Sequence, residues 1–346
     1  MCNMAGYVGK KRAAEVLIDM MLREEGFAGG YYTGIATLDN GKITAEKRVG
    51  DTQRLLSLTR AASLMGNVGI MHSRSESCEG DEWAHPFFGY NGDEREIAYI
   101  ANGDLGFFKP AEEARDAIAN SLYDEGYDMR THMLRKNRII HPKLADGCDV
   151  HVSDVMCQLI YKNIKNGLSP VCAIERAYCE MPGEIAGLMV LPSVENGILW
   201  ARISMPIYIA FAPHGVYVAS TALAFPDDAG TPILLPANSC GIIYADSYTV
   251  KNFDNPPASV AAIDAAVLRK AYARVSDNLR SGERIFDDLY VNLDDLFASA
   301  DVYPREPLAY EIMQALNKEG KLARRITKVK GVEPEIEAPQ IRMWLA

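Results

Sequence analysis

The sequence has no long hydrophobic run. No apolar stretch approaches the roughly 20 residues that a helix needs to span a bilayer. The order of a signal peptide is also missing, because Lys10, Lys11 and Arg12 follow the apolar start of the chain instead of preceding it. These absences predict a protein without a membrane span and favour a cytoplasmic location.

The cysteines form no familiar metal or redox motif. The chain has 7 cysteines, an odd number, and no two of them stand in a C-x-x-C spacing. This excludes the most common zinc and thiol-exchange motifs and argues against a framework of disulfides. We therefore expect reduced thiols, with neither a metal nor a cofactor.

Positive charge is in deficit. The chain has 36 Lys and Arg against 46 Asp and Glu, a net charge of -10. Nucleic-acid binders carry a basic footprint, so a general nucleic-acid binder is not expected. The hydrophobic content of 48% is ordinary for a globular protein, and 346 residues suit one large domain or one domain with an appendage.

The order of predicted elements points to the fold class. Apolar runs and tight-turn signals predict strands first, then helices, then strands again. This order favours an α+β fold over an alternating βαβ one. The predicted strands are 3–9, 31–38, 42–49, 66–72, 96–101, 185–191, 197–203, 207–211, 215–219 and 240–245, and the predicted helices are 11–25, 52–65, 111–124, 152–166 and 171–181.

The pattern of predicted secondary structure changes near residue 252. Asn255-Pro256-Pro257 is a strong break, and helical spacing predominates after it. We predict a domain over 2–251 and a mainly helical extension over 252–346. Its predicted helices are 259–279, 306–317 and 321–329, followed by an extended piece at 340–345. The basic residues within 321–330 are interpreted as a solvated face in preference to a nucleic-acid-binding module.

Cys2 is the most informative single residue. The initiator Met is normally removed when the second residue is small, so we expect the mature chain to begin at Cys2. A terminal cysteine carries a thiol and a free α-amine together. The thiolate is a strong nucleophile, and the amine can act as its general base.

Four further stretches carry polar side chains at the ends of predicted elements. Each has an ordinary interpretation: a surface Arg, a structural His, a hairpin turn and a helix cap. The stretches include His72-Ser73-Arg74, Ala84-His85-Pro86-Phe87, Asn102-Gly103 and His151-Val152-Ser153-Asp154.

Taken in order with Met1-Cys2-Asn3-Met4-Ala5-Gly6, these stretches resemble the glutaminase domain of the N-terminal nucleophile (class II) glutamine amidotransferases. The glucosamine-6-phosphate synthase and amidophosphoribosyltransferase families are examples of this group. The resemblance covers about residues 2–250. It implies a four-layer αββα sandwich, two antiparallel sheets face to face with helices outside.

The resemblance also implies roles. Cys2 would attack the side-chain amide of glutamine, and Asn102 with Gly103 would stabilise the oxyanion from a tight turn. Arg74 would bind the substrate α-carboxylate, and Asp154 its α-ammonium. The remaining implied substrate-pocket residues are His85 and Ser75.

Some positions depart from the family, and alternatives stay open. Asn3 stands where the family has Gly, and Ser75 where an aromatic residue is common. The same fold could hydrolyse another amide, or serve as a degenerate regulatory protein.

The extension is too short for a sugar isomerase or a phosphoribosyltransferase, and no phosphate loop is present. We therefore expect ammonia to pass to a separate synthase chain. A homo-oligomer is left open.

Overall fold

A computed structural model describes residues 2–76, 80–104, 112–134 and 141–346. Its strands, in chain order, are β1 (Asn3–Gly9), β2 (Tyr32–Asp39), β3 (Lys42–Val49), β4 (Val68–Arg74), β5 (Phe87–Asn91), β6 (Glu94–Asp104), β7 (Glu184–Val190), β8 (Gly197–Arg202), β9 (Tyr208–Ala212), β10 (Gly215–Ala219), β11 (Ile233–Leu234), β12 (Ser239–Tyr244), β13 (Lys251–Asn252), β14 (Leu322–Lys330) and β15 (Glu337–Leu345). Its helices are α1 (Ala13–Glu24), α2 (Thr52–Leu58), α3 (Glu112–Asp124), α4 (Val152–Lys165), α5 (Pro170–Glu180), α6 (Ala265–Arg280), α7 (Asp287–Tyr290) and α8 (Arg305–Lys318). None of the helices in these ranges is long and apolar enough to cross a membrane.

Two antiparallel sheets organise the chain before residue 253. The seven-stranded sheet has the order β11-β9-β10-β1-β4-β2-β3, and the six-stranded sheet has the order β13-β12-β8-β7-β6-β5. β1 lies inside the first sheet between β10 and β4, with both neighbours antiparallel. The predicted α+β class is therefore confirmed.

Apolar side chains of the two sheets meet in one core. Met4 and Ile70 of the seven-stranded sheet share a buried cluster with Ile100, Leu188 and Trp200 of the six-stranded sheet. Successive side chains of a strand point to opposite faces, so every second residue is left for the other side of each sheet. The two sheets are thus joined through side chains that are fully removed from water.

The other faces of the sheets pack against helices. Leu17 of α1 and Met313 of α8 belong to a cluster with residues of the seven-stranded sheet. Leu159 of α4 and Ile174 of α5 belong to a cluster with residues of the six-stranded sheet. Helices after residue 252 thus share a core with α1. The predicted domain boundary near residue 252 stays a prediction.

The core between the sheets predicts a large effect for Leu188→Ala. Leu188 is fully buried, so its truncation should lower the free energy of unfolding by about 2–5 kcal/mol through lost burial and a residual cavity. Urea denaturation followed by circular dichroism would measure this. Leu58→Ala is the control, because Leu58 is 52% exposed and should change stability by no more than about 0.5 kcal/mol. Equal effects of the two variants would contradict the assignment of the core.

The predicted helix over 321–329 is wrong. This segment is the strand β14, which pairs along its whole length with β15. The β-branched residues Ile326, Thr327 and Val329 favour a strand, but the helical spacing of apolar residues suggested otherwise. Pairing with residues 337–345 decides the conformation, and no local pattern contains that partner.

Three basic residues of the segment 321–330 pair with carboxylates. The described ion pairs are Arg325–Glu283 at 2.9 Å, Lys328–Asp51 at 3.0 Å and Lys321–Glu319 at 2.7 Å. These contacts agree with a solvated surface of paired charges, the interpretation that the sequence favoured.

Two other predicted helices begin or end differently. The helix predicted at 259–279 begins only after Asp264, whose carboxylate accepts hydrogen bonds from the backbone N–H groups of Ala266 and Val267. The helix predicted at 52–65 ends at Leu58, and a short 3₁₀ turn at Ala61–Ser63 follows. Capping by Asp264 satisfies two backbone donors that would otherwise lack partners, which sets that boundary.

Candidate active site

Cys2 lies where the ends of three strands meet. Its side chain is only 7% exposed, and its backbone nitrogen donates a hydrogen bond to Asn102 Oδ1 over 2.9 Å. The Cys2 Sγ lies 3.7 Å from Ser75 Oγ. Residues from the start of β1, the end of β6 and the segment after β4 therefore surround one thiol.

Strand register explains this convergence. β1 and β4 are antiparallel neighbours in which Asn3 lies opposite Ser73, so the residues after Ser73 reach the level of Cys2. Asn102 comes from β6 in the other sheet. The prediction that Cys2 opens a central strand is confirmed.

Asn102 presents a buried hydrogen-bond donor beside Cys2. Its Oδ1 is occupied by Cys2, whereas its Nδ2 is buried with no hydrogen-bond partner in the described part of the chain. A buried donor without a partner costs about 1–3 kcal/mol. Such a group fits a position where a bound ligand completes the hydrogen bond.

The predicted tight turn at Asn102-Gly103 is wrong. β6 continues through both residues and pairs with β7, with Asn102 opposite Ala186 and Gly103 opposite Ile185. The local Asn-Gly signal is overridden because β7 supplies a partner for this stretch.

The strand geometry still directs the Gly103 N–H outward from the pair. The Ile185 carbonyl accepts a hydrogen bond from the Ile203 N–H, which lies on the side of β7 that faces away from β6. Ile185 and Gly103 are therefore opposite each other without hydrogen bonds between them. The Gly103 N–H then points to the same edge of β6 as the Ala101 carbonyl, which contacts His72 Nε2 at 2.9 Å. A second donor is thus available at this edge.

The environment of Cys2 favours the thiolate. Burial by itself raises the pKa of the thiol, but the hydrogen bond and charge of His72, together with the charges of the N-terminal amine and of Arg74, lower it to about 6. At neutral pH the sulfur is then mostly ionised. An ordinary free cysteine, with a pKa of about 8.5, would be mostly protonated.

This pKa predicts the pH dependence of alkylation. Below about pH 6 the thiol is protonated and unreactive, so the rate of Cys2 modification by iodoacetamide should rise through a midpoint near that value. Mass spectrometry of the N-terminal peptide would measure the rate, with Cys2→Ala giving the background of the other thiols. A midpoint near pH 8.5 would contradict the proposed activation.

Arg74 brings a buried cation to the same place. The side chain is 5% exposed, and its Nη1 donates to the Trp83 carbonyl over 2.9 Å. The guanidinium also lies over the Tyr32 ring, 5.4 Å from its centroid. These contacts hold the positive charge at the end of β4, close enough to affect the thiol.

Buried aromatic rings and imidazoles form one wall of the site. The His72 and His85 ring centroids are 3.9 Å apart, and His151 lies 5.3 Å from His85. Trp83 and His141 continue the wall beyond His151. Burial lowers the pKa of His85 and of His151 well below the usual range, so both imidazoles are neutral at pH 7.

His85 joins the site through this wall. Neither of its ring nitrogens has a hydrogen-bond partner among the described residues. Buried polar atoms without a partner are uncommon, and these two lie beside the imidazole that contacts the edge of β6.

Asp154 sits in a hydrogen-bond network of its own. Its Oδ2 accepts from Thr131 Oγ1 at 2.8 Å and from the Thr131 N–H at 3.3 Å, and its Oδ1 accepts from Gln158 at 3.1 Å. Burial raises its pKa to about 6. No contact between described residues joins Asp154 to Cys2, so its role as an ammonium ligand stays a prediction.

Asp154 also does not cap α4. The cap is His151, whose Nδ1 accepts from the Ser153 N–H over 3.0 Å. Sequence reasoning placed His151 at the start of this helix without giving it a role, and it missed the roles of His72 and Trp83. The only feature of the sequence that pointed to His72 was its position in the segment His72-Ser73-Arg74.

Comparisons with known proteins identify chains of similar sequence and similar structure. No family model matches the chain. The chain is 24% identical over 259 residues to a glutamine–fructose-6-phosphate aminotransferase (isomerizing) of Bartonella henselae, covering 74% of this chain and 38% of the relative. It is 27% identical over 260 residues to the protein of that name from Chlorobaculum tepidum, with coverages of 74% and 38%. The chain thus spans well under half the length of these curated relatives.

Among solved structures, similarity extends to the glutamine phosphoribosylpyrophosphate amidotransferase from B. subtilis, complexed with ADP and GMP. The TM-score is 0.59 at 18% identity, over 81% of this chain and 59% of that one. At this identity the likeness concerns the fold. Together with the curated relatives, it confirms the resemblance to class II glutamine amidotransferases.

Proposed function

We propose that this chain is a glutamine-hydrolysing amidotransferase subunit with Cys2 as its nucleophile. The observation that carries the proposal is the junction of Cys2 with Asn102. The thiol has a pKa of about 6, and the adjoining amide offers a buried donor without a partner among the described residues. A nucleophile beside a preorganised donor is the arrangement that acyl transfer requires.

The reaction follows from these positions. After removal of Met1, Asn102 Oδ1 holds the α-amine of Cys2, and the thiolate attacks the amide carbon of glutamine. The oxygen of the adduct takes hydrogen bonds from Asn102 Nδ2 and the Gly103 N–H. The α-amine, which has taken up the proton of the thiol, delivers that proton to the leaving nitrogen, so ammonia departs and a thioester remains. Water then hydrolyses the thioester to glutamate.

Charged groups orient the substrate in this proposal. Arg74 pairs with the α-carboxylate, in a pocket dry enough to strengthen the attraction. Asp154 keeps acceptor capacity beyond its bonds to Thr131 and Gln158 and pairs with the α-ammonium. Ser75 and His85 line the pocket, where Ser75 contacts the sulfur.

We extend the proposal to the architecture and partners. Residues 2–251 form the four-layer αββα glutaminase domain, supported by one core between the sheets and helices packed outside each. Residues 252–346 are an extension of mainly helical character that carries the β14–β15 hairpin. Ammonia passes to a separate synthase chain in the cytoplasm, and the chemistry needs no metal or cofactor. A homo-oligomer is compatible with this scheme.

A second candidate is hydrolysis of another amide by the same nucleophile. Asp154 already accepts three hydrogen bonds, which weakens it as a partner for a free ammonium. Ser75 and the neutral imidazoles of His85 and His151 instead favour an uncharged group next to the amide. A degenerate regulatory protein is disfavoured, because nothing in such a role requires a thiol with a pKa of about 6.

One assay separates these possibilities. The purified protein should release ammonia and glutamate from glutamine in equal amounts, and intact-mass measurement should show loss of Met1. Asparagine and N-acylated glutamine serve as comparison substrates. Faster turnover of N-acylglutamine would favour the second candidate. Absence of ammonia from glutamine, together with a retained Met1, would contradict the leading proposal.

A further inference from the structure

A cluster of metal-binding side chains lies outside the candidate active site. His132, Asp146 and Cys148 each offer one ligand atom, and these three atoms lie within 4.8 Å of one another. His132 Nε2 is 2.7 Å from Asp146 Oδ2. Asp146 is exposed, and the other two residues are partly exposed. Solvent can therefore reach the cluster, and Cys148 is a free thiol.

The backbone brings these side chains together without an ion. Met133 and Asp149 exchange two hydrogen bonds of 3.1 and 2.9 Å, so His132 and Cys148 lie on the same face of this antiparallel bridge as diagonal neighbours. The Cys148 N–H also donates to Asp146 Oδ1 over 2.9 Å and orients the carboxylate. The site is thus largely formed before any ligand binds.

We propose that His132, Asp146 and Cys148 form a binding site for a divalent transition metal of the zinc class. Imidazole nitrogen, carboxylate oxygen and thiolate sulfur are the donors that Zn²⁺ takes, at bond lengths of about 2.0–2.3 Å. Around a tetrahedral ion such bonds place ligand atoms about 3.5 Å apart. Small side-chain rotations would separate His132 Nε2 from Asp146 Oδ2 and bring the more distant ligand atoms closer. Three protein ligands leave the fourth position to water.

The donor set determines which metals are expected. A thiolate is a soft ligand that Mg²⁺ and Ca²⁺ do not use, so these ions should not compete. Binding releases the thiol proton of Cys148, because the thiolate is the ligand. The spacing H-x₁₃-D-x-C matches no familiar zinc motif, which is why the sequence suggested no metal.

The site has a structural consequence. It joins the two ends of the chain between α3 and α4, and His141 and His151 of this connection contact Trp83 at the candidate active site. Metal binding should therefore raise the thermal stability of the protein, since it stabilises the native state and not the unfolded one.

Cobalt titration of the full chain tests the proposal. The metal-free protein should bind one Co²⁺ with the near-ultraviolet absorption of a thiolate–cobalt bond, and Zn²⁺ should displace it. Cys148→Ser should abolish this band. His132→Ala should weaken the affinity for Co²⁺ by on the order of 100-fold or more, a larger effect than the loss of a residue that only hydrogen-bonds to a metal ligand. Cys172→Ser is the matched control, because Cys172 is an exposed thiol elsewhere.

These metal-binding measurements do not depend on whether the protein hydrolyses glutamine. Circular dichroism would verify that the variants fold, as expected for substitutions at exposed positions. An unchanged band and affinity in Cys148→Ser would overturn the proposal. So would a band that is lost only in Cys2→Ala, because the metal would then lie at the nucleophile, and so would the absence of saturable binding.

Discussion

Replacing Cys2 by alanine is expected to abolish ammonia release from glutamine, lowering kcat by about 10⁴-fold or more, while glutamine still binds. The thiolate forms the bond to the substrate, and neither Asn102 nor Arg74 can replace it. Its contribution to ground-state affinity is small, because the sulfur acts in the chemical step. Ammonia assays measure the loss, and calorimetry measures the retained affinity.

The control for this variant is Cys172→Ala, which removes an exposed thiol and should leave activity unchanged. Cys2→Ser is a second comparison, since it keeps a hydroxyl that is a poorer nucleophile at neutral pH. If Cys2→Ala still released ammonia at a substantial fraction of the wild-type rate, the nucleophile would have to be another group. Loss of both turnover and binding would point to a defect of folding, which thermal unfolding would detect.

Arg74→Ala is expected to weaken glutamine binding by about 30-fold or more. Removing one partner of a buried charge pair leaves the other charge unpaired, which costs about 2–5 kcal/mol. The effect should fall mainly on KM and on the calorimetric Kd, with a smaller effect on kcat, because the α-carboxylate lies away from the reacting amide. Arg74→Lys should recover part of the affinity, since it keeps the charge but not the forked geometry.

Stability has to be measured beside affinity for this variant. Arg74 also donates to the Trp83 carbonyl and lies over Tyr32, so its truncation removes packing as well as charge. Arg280→Ala is the matched control, because that side chain is exposed and pairs only with the nearby Asp277 among the described residues. A well-folded Arg74→Ala protein with wild-type affinity would exclude Arg74 from glutamine binding and strengthen the case for another amide.

Features that depend only on neighbouring residues in the sequence could be predicted. The combination of thiol and amine at Cys2, and the α+β order of the elements, need no distant partner. Asn102 was predicted to lie beside Cys2, which it does, but in a tight turn, which it does not form. β7 extends the pairing of β6 past Gly103, so a dipeptide that favours a turn in isolation remains a strand.

Errors arose where a distant segment supplied the deciding contact. The residues of β14 were predicted as helical, since β15 is needed to complete their backbone hydrogen bonds. The cluster of His132, Asp146 and Cys148 matched no motif, because a bridge between two chain segments assembles it.

Residue types and their local order thus determined the fold class, the proposed nucleophile and a set of candidate polar groups. Their mutual geometry was decided by tertiary structure: the register of β1 against β4, and the approach of β6 from the second sheet, set which groups meet at the thiol. The same packing lowers the pKa of Cys2 to about 6, because His72 and Arg74 reach it only in the folded chain. The reactivity of the thiol depends on charges and hydrogen-bond donors within a few ångströms of the sulfur, and the separation of residues along the sequence does not give that spatial distance.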